Sequence, residues 1–427
     1  MEQQPGNRPA DGSRPGHSNL NPGIKLNVLS PDTFAHGHPW ETYDALRQAA
    51  PVSWQEGGDV LPGCWVLTNY ADIQFVSLNP DLFTSTAGFQ APSEGRKALK
   101  ADPLILEAFQ NMVLGLDPPE HTELRRIMQP YFMPRYIHSL HQALSRITVD
   151  TFDDLDEGGE IELVSRLSSI IPIKALGLLL GIPDRDIPQI FEWTNKMTGS
   201  DDKELNISGS DSEEAFKEVF EYGRRLLQHR RQHPVDDLTS AMATGKIDDE
   251  LLSEARLNGF SALAIPAGNE TTRNAMTGAV WLLSENPELK ERLVADPALI
   301  PEAVEELLRR TAPVIQMMRT ATENVRIGDV EISKGEQVVM LYGAANHDPG
   351  EFEDPYSLNL DRKNLRRHVA FGTGIHRCLG APLARVEIQF FLRELLQRYP
   401  NFQVVDVPEY VRGNFVCAIK RLKLKLG

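Results

Sequence analysis

The sequence predicts a mainly helical protein with a small β portion, folded as one large domain. Three observations carry this. Apolar residues recur at three- and four-residue spacing from about Leu104 to Met242, and again from about Asp249 to Asn286, with two more helices over 287–296 and 299–310. Strand-like alternation is confined to Val52–Asn69, around Gly57–Gly58 and Pro62–Gly63, and to Val325–Leu341, around Gly328–Asp329 and Lys334–Gly335. No internal repeat or linker divides the 427 residues after the first two dozen, and the composition, 41% hydrophobic and 24% charged, can bury a sizeable core. Residues 1–25 are expected to be a disordered tail, and 26–427 a single domain.

Taken in order, a helix is expected over Pro39–Ala49, then the Val52–Asn69 strands, then the helical half broken by Gly158–Gly159, Pro183 and the polar run Ser200–Ser212. After the Val325–Leu341 hairpins, helix is expected to resume only beyond Cys378. Pro382 fits a first turn and not a helix interior, so the helix ending near Tyr399 must start close to that cysteine.

Charge and cysteine content exclude several function classes. A net charge of −16 repels nucleic acid and anionic membrane surfaces. Cys64, Cys378 and Cys417 are too few and too far apart for a disulfide framework or a paired zinc motif. No apolar run approaches the ~20 residues of a membrane span, and the N-terminus lacks a signal-peptide layout, so a soluble, cytoplasmic protein is expected.

The most specific segment is Phe371-Gly372-Thr373-Gly374-Ile375-His376-Arg377-Cys378-Leu379-Gly380. Three glycines remove side chains where a backbone must lie close to something flat, and a helix start places free N–H groups near the sulfur, favouring thiolate. No lysine or Ser/Thr sits as a phosphate loop requires. Two further patterns are less specific. In Ala264-Ile265-Pro266-Ala267-Gly268-Asn269-Glu270-Thr271, residues 264, 267, 268 and 271 share a helical face that is nearly bare until Thr271, which suits either close helix packing or an open space. Glu306 and Arg309, three apart on a helix, read on spacing alone as an exposed ion pair worth ~0.3–0.5 kcal/mol.

The cysteine segment resembles the haem-binding loop of the cytochrome P450 family, with Phe371, Gly374, His376, Cys378 and Gly380 at matching positions. The other segments follow in the family's order, and the similarity runs from about Pro39 to Ile419. The resemblance implies the P450 fold, haem b as cofactor, and Cys378 as the thiolate ligand of its iron. It further implies that Phe371 packs beside the sulfur, with Gly372, Gly380 and Ala267 against the haem. His376, His121, Arg125 and Arg319 would bind its propionates. Glu270 and Thr271 would form an acid–alcohol pair relaying protons to the oxygen site. Pro266 departs from the commonest pattern. It leaves the Ala262 carbonyl unpaired, so the kink of this helix is expected a turn earlier. Glu306 and Arg309 take a structural role, buried behind the haem.

The implied activity is monooxygenation with O2, hydroxylating a hydrophobic small molecule such as a steroid, terpenoid or alkyl chain. Expected lining residues are Ala264, Ala267, Gly268, Val314, Ile315 and Phe415, with contributions from Phe89–Leu106 and Phe191–Thr198. Electrons would come from NAD(P)H through a ferredoxin or flavodoxin and its reductase. Arg362, Lys363, Arg366, Arg367, Arg377 and Arg385, opposed only by Asp361, form the expected docking patch. A peroxide-driven peroxygenase is the competing enzyme class, but there the acid–alcohol pair is characteristically replaced. A haem protein that only binds ligands is the non-enzymatic alternative.

Overall fold

The computed structural model describes residues 24, 26–58, 61–155 and 159–427, so the tail expected over 1–25 lies outside them apart from Ile24. Helix accounts for 55% of the chain and strand for 13%, as the periodicities require. The organising element is a 31-residue helix, Glu254–Ser284, capped by the Ser253 hydroxyl, which accepts from Arg256 N–H. It begins later than Asp249 because Asp248 and Asp249 both take positive φ and turn a short hairpin, Lys246–Ile247 against Glu250–Leu251. This central helix packs on Pro103–Asn111, Ile170–Leu180, Asp211–Gln232, Ile300–Thr311 and Ala381–Arg398. The expected first helix is Trp40–Ala49, and the last two before the hairpins are Pro287–Ala295 and Ile300–Thr311.

The main sheet has five strands in the order Val52–Glu56, Gly63–Leu67, Gln337–Leu341, Gln316–Ala321, Phe83–Thr84. Gln316–Ala321 was not expected from the sequence. Another unexpected strand, Gly159–Glu162, interrupts the helical half and pairs with Lys423–Leu426 at the far end of the chain. Helix also resumes before Cys378, against expectation, in the single turn Tyr342–Asn346, where the chain leaves the sheet with five consecutive residues buried.

The Glu306–Arg309 pair is wholly buried, which overturns its reading as a surface pair and agrees with the structural role. Arg309 holds both carboxylate oxygens at 2.8 Å and also donates to the carbonyls of Asn346, Pro355 and Ser357. Arg362 joins this network through a 2.9 Å bond to Glu306 and bonds to the Glu353, Asp354 and Ser357 carbonyls. With only 4% of its side chain exposed, it cannot belong to a docking patch. Arg385 is likewise committed to Glu305, and Arg367 contacts Glu351, so acids other than Asp361 oppose this cluster. Lys363, Arg366, Arg367 and Arg377 remain exposed.

All three cysteines are free. Cys64 is a buried core residue whose thiol burial pushes up to about 12. No helix among the described residues is long and apolar enough to cross a membrane.

Candidate active site

The cysteine loop is fixed by its backbone. Gly372 and Gly374 adopt φ of +66° and +70°, which L side chains rarely adopt, and a Cβ on Gly374 would lie 2.1 Å from the Ser77 carbonyl oxygen. The Cys378 N–H closes the loop on the Phe371 carbonyl at 2.8 Å, and the helix Ala381–Arg398 starts with Pro382 in its first turn. Phe371 is covered by the Arg385 guanidinium, 4.5 Å from its ring centre. Gly380 leaves the sulfur side open, since a Cβ there would sit 3.7 Å from Sγ.

The Cys378 side chain is accessible and lines a cavity of about 350 Å³. Burial pushes its thiol up, while the Gly380 and Ala381 amides, Arg125 and Arg385 pull the other way. The helix-start amides thus favour thiolate, as expected, but without a cationic ligand at the sulfur desolvation outweighs them.

On one side of this cavity four basic groups converge. His121 and Arg125 lie one turn apart on Glu120–Met128, Arg319 comes from Gln316–Ala321, and His376 from the cysteine loop; the two imidazoles are 4.4 Å apart. Neither ring nitrogen of His121 has a hydrogen-bond partner, nor does His376 Nδ1, although all three are buried. His376 Nε2 lies 3.1 Å from Ser85 Oγ, Arg125 donates to the Arg377 carbonyl at 2.5 Å, and Arg319 to its neighbour's carbonyl, Met318, at 2.7 Å. Burial, then the nearby arginines, hold His121 at about 4 and His376 at about 2. Unsatisfied buried donors beside two arginines fit an anionic oxygen ligand. The propionates of a haem over Cys378 are such a ligand, so these residues fit the cofactor.

The opposite wall is the central helix. Ala264, Ala267, Gly268 and Thr271 all border the cavity, as expected. Gly268 serves packing as well, because a Cβ would meet Leu176 Cδ1 at 2.7 Å. The helix is continuous from Glu254 to Ser284 with Pro266 in its interior. The Thr271 hydroxyl does not project free but donates to the Ala267 carbonyl at 3.0 Å, keeping its lone pairs for an acceptor role. Glu270 is buried and paired with Arg273, which in turn reaches Asn195 Oδ1 at 2.7 Å. One of its oxygens, Oε1, has no partner; burial pushes its carboxyl up and Arg273 opposes this.

Val314 and Phe415 line the cavity, with Phe89, Gln90 and Arg96 from the 89–106 stretch and Met197 and Thr198 from 191–198. Ile315 does not. Its N–H is held by the Phe415 carbonyl at 2.8 Å, and its side chain is fully buried with Leu26, Val28 and Phe34, leaving Met317 to face the cavity. Tyr342 and Glu387 also line it and were not foreseen. Glu387 is buried with an unpartnered Oε2, and burial drives its carboxyl well above the usual carboxylate range.

A profile of the Cytochrome P450 family matches residues 160–426. The steroid C26-monooxygenase of Rhodococcus jostii is 33% identical over 93% of this chain and 84% of its own. The methyl-branched lipid omega-hydroxylase of Mycobacterium bovis is 33% identical over 89% of each. A Mycobacterium marinum cytochrome P450 solved with pseudoionone superposes with a TM-score of 0.87 at 32% identity, covering 94% of this chain and 98% of that one. With a cysteine sulfur lining its cavity and relatives matched along nearly its whole length, the chain belongs to the cytochrome P450 family and is a monooxygenase that binds haem b.

Proposed function

We propose that this protein hydroxylates an unactivated C–H bond of a hydrophobic small molecule, a steroid, terpenoid or alkyl chain. One atom of O2 enters the product and the other leaves as water, with electrons from NAD(P)H through a ferredoxin or flavodoxin and its reductase. The observation that carries the reading is one apolar cavity with Cys378 on one wall and Ala264, Ala267 and Thr271 on another. The names of the steroid C26 and lipid omega relatives support a substrate attacked on an alkyl carbon.

Haem, when bound, would supply the activation of dioxygen, and Cys378 Sγ would hold its iron. His121, Arg125, Arg319 and His376 would hold the propionates, and the loop glycines with Phe371 shape the face around the sulfur. Ala264, Ala267 and Gly268 leave room for the reacting carbon, while Val314, Met317 and Phe415 orient it and keep water out. Thr271 would accept and pass a proton at Oγ1, and Glu270, buried and paired with Arg273, would exchange it with solvent. Thr271→Ala should lower product formed per NAD(P)H consumed by roughly tenfold, less than the ~10²–10⁴-fold usual for a lost general acid or base because water can stand in for the hydroxyl, with hydrogen peroxide making up the balance. Unchanged coupling would remove Thr271 from the relay.

The electron partner is expected to dock on the exposed Lys363, Arg366, Arg367 and Arg377, which stand out on a chain of net charge −16. Reversing Arg366 and Arg377 to glutamate should slow reduction by ferredoxin about tenfold at low salt and flatten its salt dependence. Equal rates in parent and variant would exclude this face. The overall proposal is tested by titrating the ferric protein with steroids, terpenoids, fatty acids and aromatics while following displacement of water from the iron in the absorption spectrum. No response to any apolar class would overturn it.

A further inference from the structure

Besides Arg125, Arg319, His376, Arg377, Glu270 and Glu387, one more charged side chain borders the largely apolar cavity. Arg96, on the short helix Glu94–Leu99, points its guanidinium into the cavity, 4.9 Å from the centre of the Phe415 ring. Its Nε has no hydrogen-bond partner. One turn on, Lys100 places Nζ 5.0 Å from the ring centre of Phe109, another wall residue. Neither cation is paired with a carboxylate among the described residues. Asp201, the acid whose charge reaches Arg96, has both oxygens engaged, one by the Ser93 hydroxyl at 2.5 Å and the other by the Gly95 N–H at 2.9 Å.

Burial lowers Arg96 to about 10, opposed only in part by Asp201, and, with Arg96 as a like-charged neighbour, lowers Lys100 to about 8, so the surroundings disfavour both charges. Gln90, on the same wall, is 2% exposed, and its Nε2 also lacks a partner. A buried guanidinium with no carboxylate partner and an unsatisfied amide donor bordering the cavity, with a second cation one turn away, are costly unless a ligand completes them. A planar carboxylate matches the guanidinium fork, and the aromatic rings beneath both cations keep them aimed at it.

We infer that Arg96 and Gln90 anchor the carboxylate of a lipophilic acid whose apolar body fills the cavity, with Lys100 adding positive charge from outside the lining. This rests on reading the cavity as the substrate site. Arg96 lines the same cavity as Ala264, Ala267 and Thr271, so an acid anchored there would leave its apolar body, not its head, to extend toward the central helix where the reaction is proposed.

The test is calorimetric titration of the haem-loaded protein with hexadecanoic acid and with methyl hexadecanoate, and with a steroid carboxylic acid and its methyl ester. At least one acid should bind about tenfold or more tightly than its ester, the scale of a charge-assisted hydrogen bond. Arg96→Gln should abolish that preference while leaving ester binding within about twofold, and Lys100→Gln should reduce it in part. Esters binding as well as both acids in the parent protein, or an acid preference surviving in Arg96→Gln, would overturn the inference. If Arg96→Gln does not fold, the parent ratio and Lys100→Gln still decide it. A normal thiolate signature under carbon monoxide without acid preference rejects only the anchor, whereas acid preference without that signature rejects only the proposed function.

Discussion

Cys378→Ala is expected to abolish the red-shifted absorption that the ferrous protein gives under carbon monoxide, and to reduce hydroxylation by at least about 10³-fold, the scale lost when one indispensable catalytic group is removed. The argument has two parts. Only this sulfur, among the three free thiols, lines the cavity, because Cys64 is shut in the core and Cys417 is absent from the lining. The loop, moreover, does not need the side chain to hold its shape. Its closure is the backbone bond from Cys378 N–H to the Phe371 carbonyl, its bend is set by Gly372 and Gly374, and the following helix starts at Ala381. The variant should therefore unfold within about 1 kcal/mol of the parent, since deleting one sulfur from a cavity wall leaves no buried polar group stranded. Persistence of the red-shifted band in Cys378→Ala would end the assignment.

How much of this was legible in the sequence depends on whether the determining contact is local. The cysteine loop and the bare face of the central helix were readable because glycine placement and 3.6-residue periodicity act within a few residues. The main sheet was half readable: its hairpins alternate locally, but Gly159–Glu162 becomes a strand only because Lys423–Leu426 comes back to it. Ile315 was misplaced for the same reason. Its hydrophobicity suits a cavity wall, yet a backbone bond to Phe415 turns it toward the N-terminal segment. Arg362 looked like one more cation in a basic run until the fold delivered Glu306 to it from 56 residues away. Arg96 and Glu387 are harder still, because what marks them is a missing partner, and a missing partner has no sequence pattern.

Arg309→Leu should destabilise the protein by about 3–5 kcal/mol, a large part of the ~5–15 kcal/mol that usually separates folded from unfolded states. The size follows from what is stranded. Glu306 would keep only the Arg362 guanidinium and the Asn359 N–H as partners in a site from which water is excluded, and the Asn346, Pro355 and Ser357 carbonyls would each lose a donor. Lysine should not rescue, since a single ammonium cannot meet two carboxylate oxygens and three carbonyls at once. The sign of the pH dependence also follows. Burial alone would raise the Glu306 carboxyl, but Arg309 and Arg362 prevail and lower it below the ordinary 4.5. A carboxylate with a depressed folded value contributes stability that is complete above the unfolded value and is lost as pH falls through the folded one. In Arg309→Leu much of that contribution is gone, so the gap between the parent and variant urea midpoints should be widest near neutrality and narrow below about pH 4. The segment tied down by this network, residues 346–362, leads directly into the cysteine loop, so haem should also dissociate faster from the variant. A neutral-pH midpoint equal to that of the parent would show that the pair does not carry the fold.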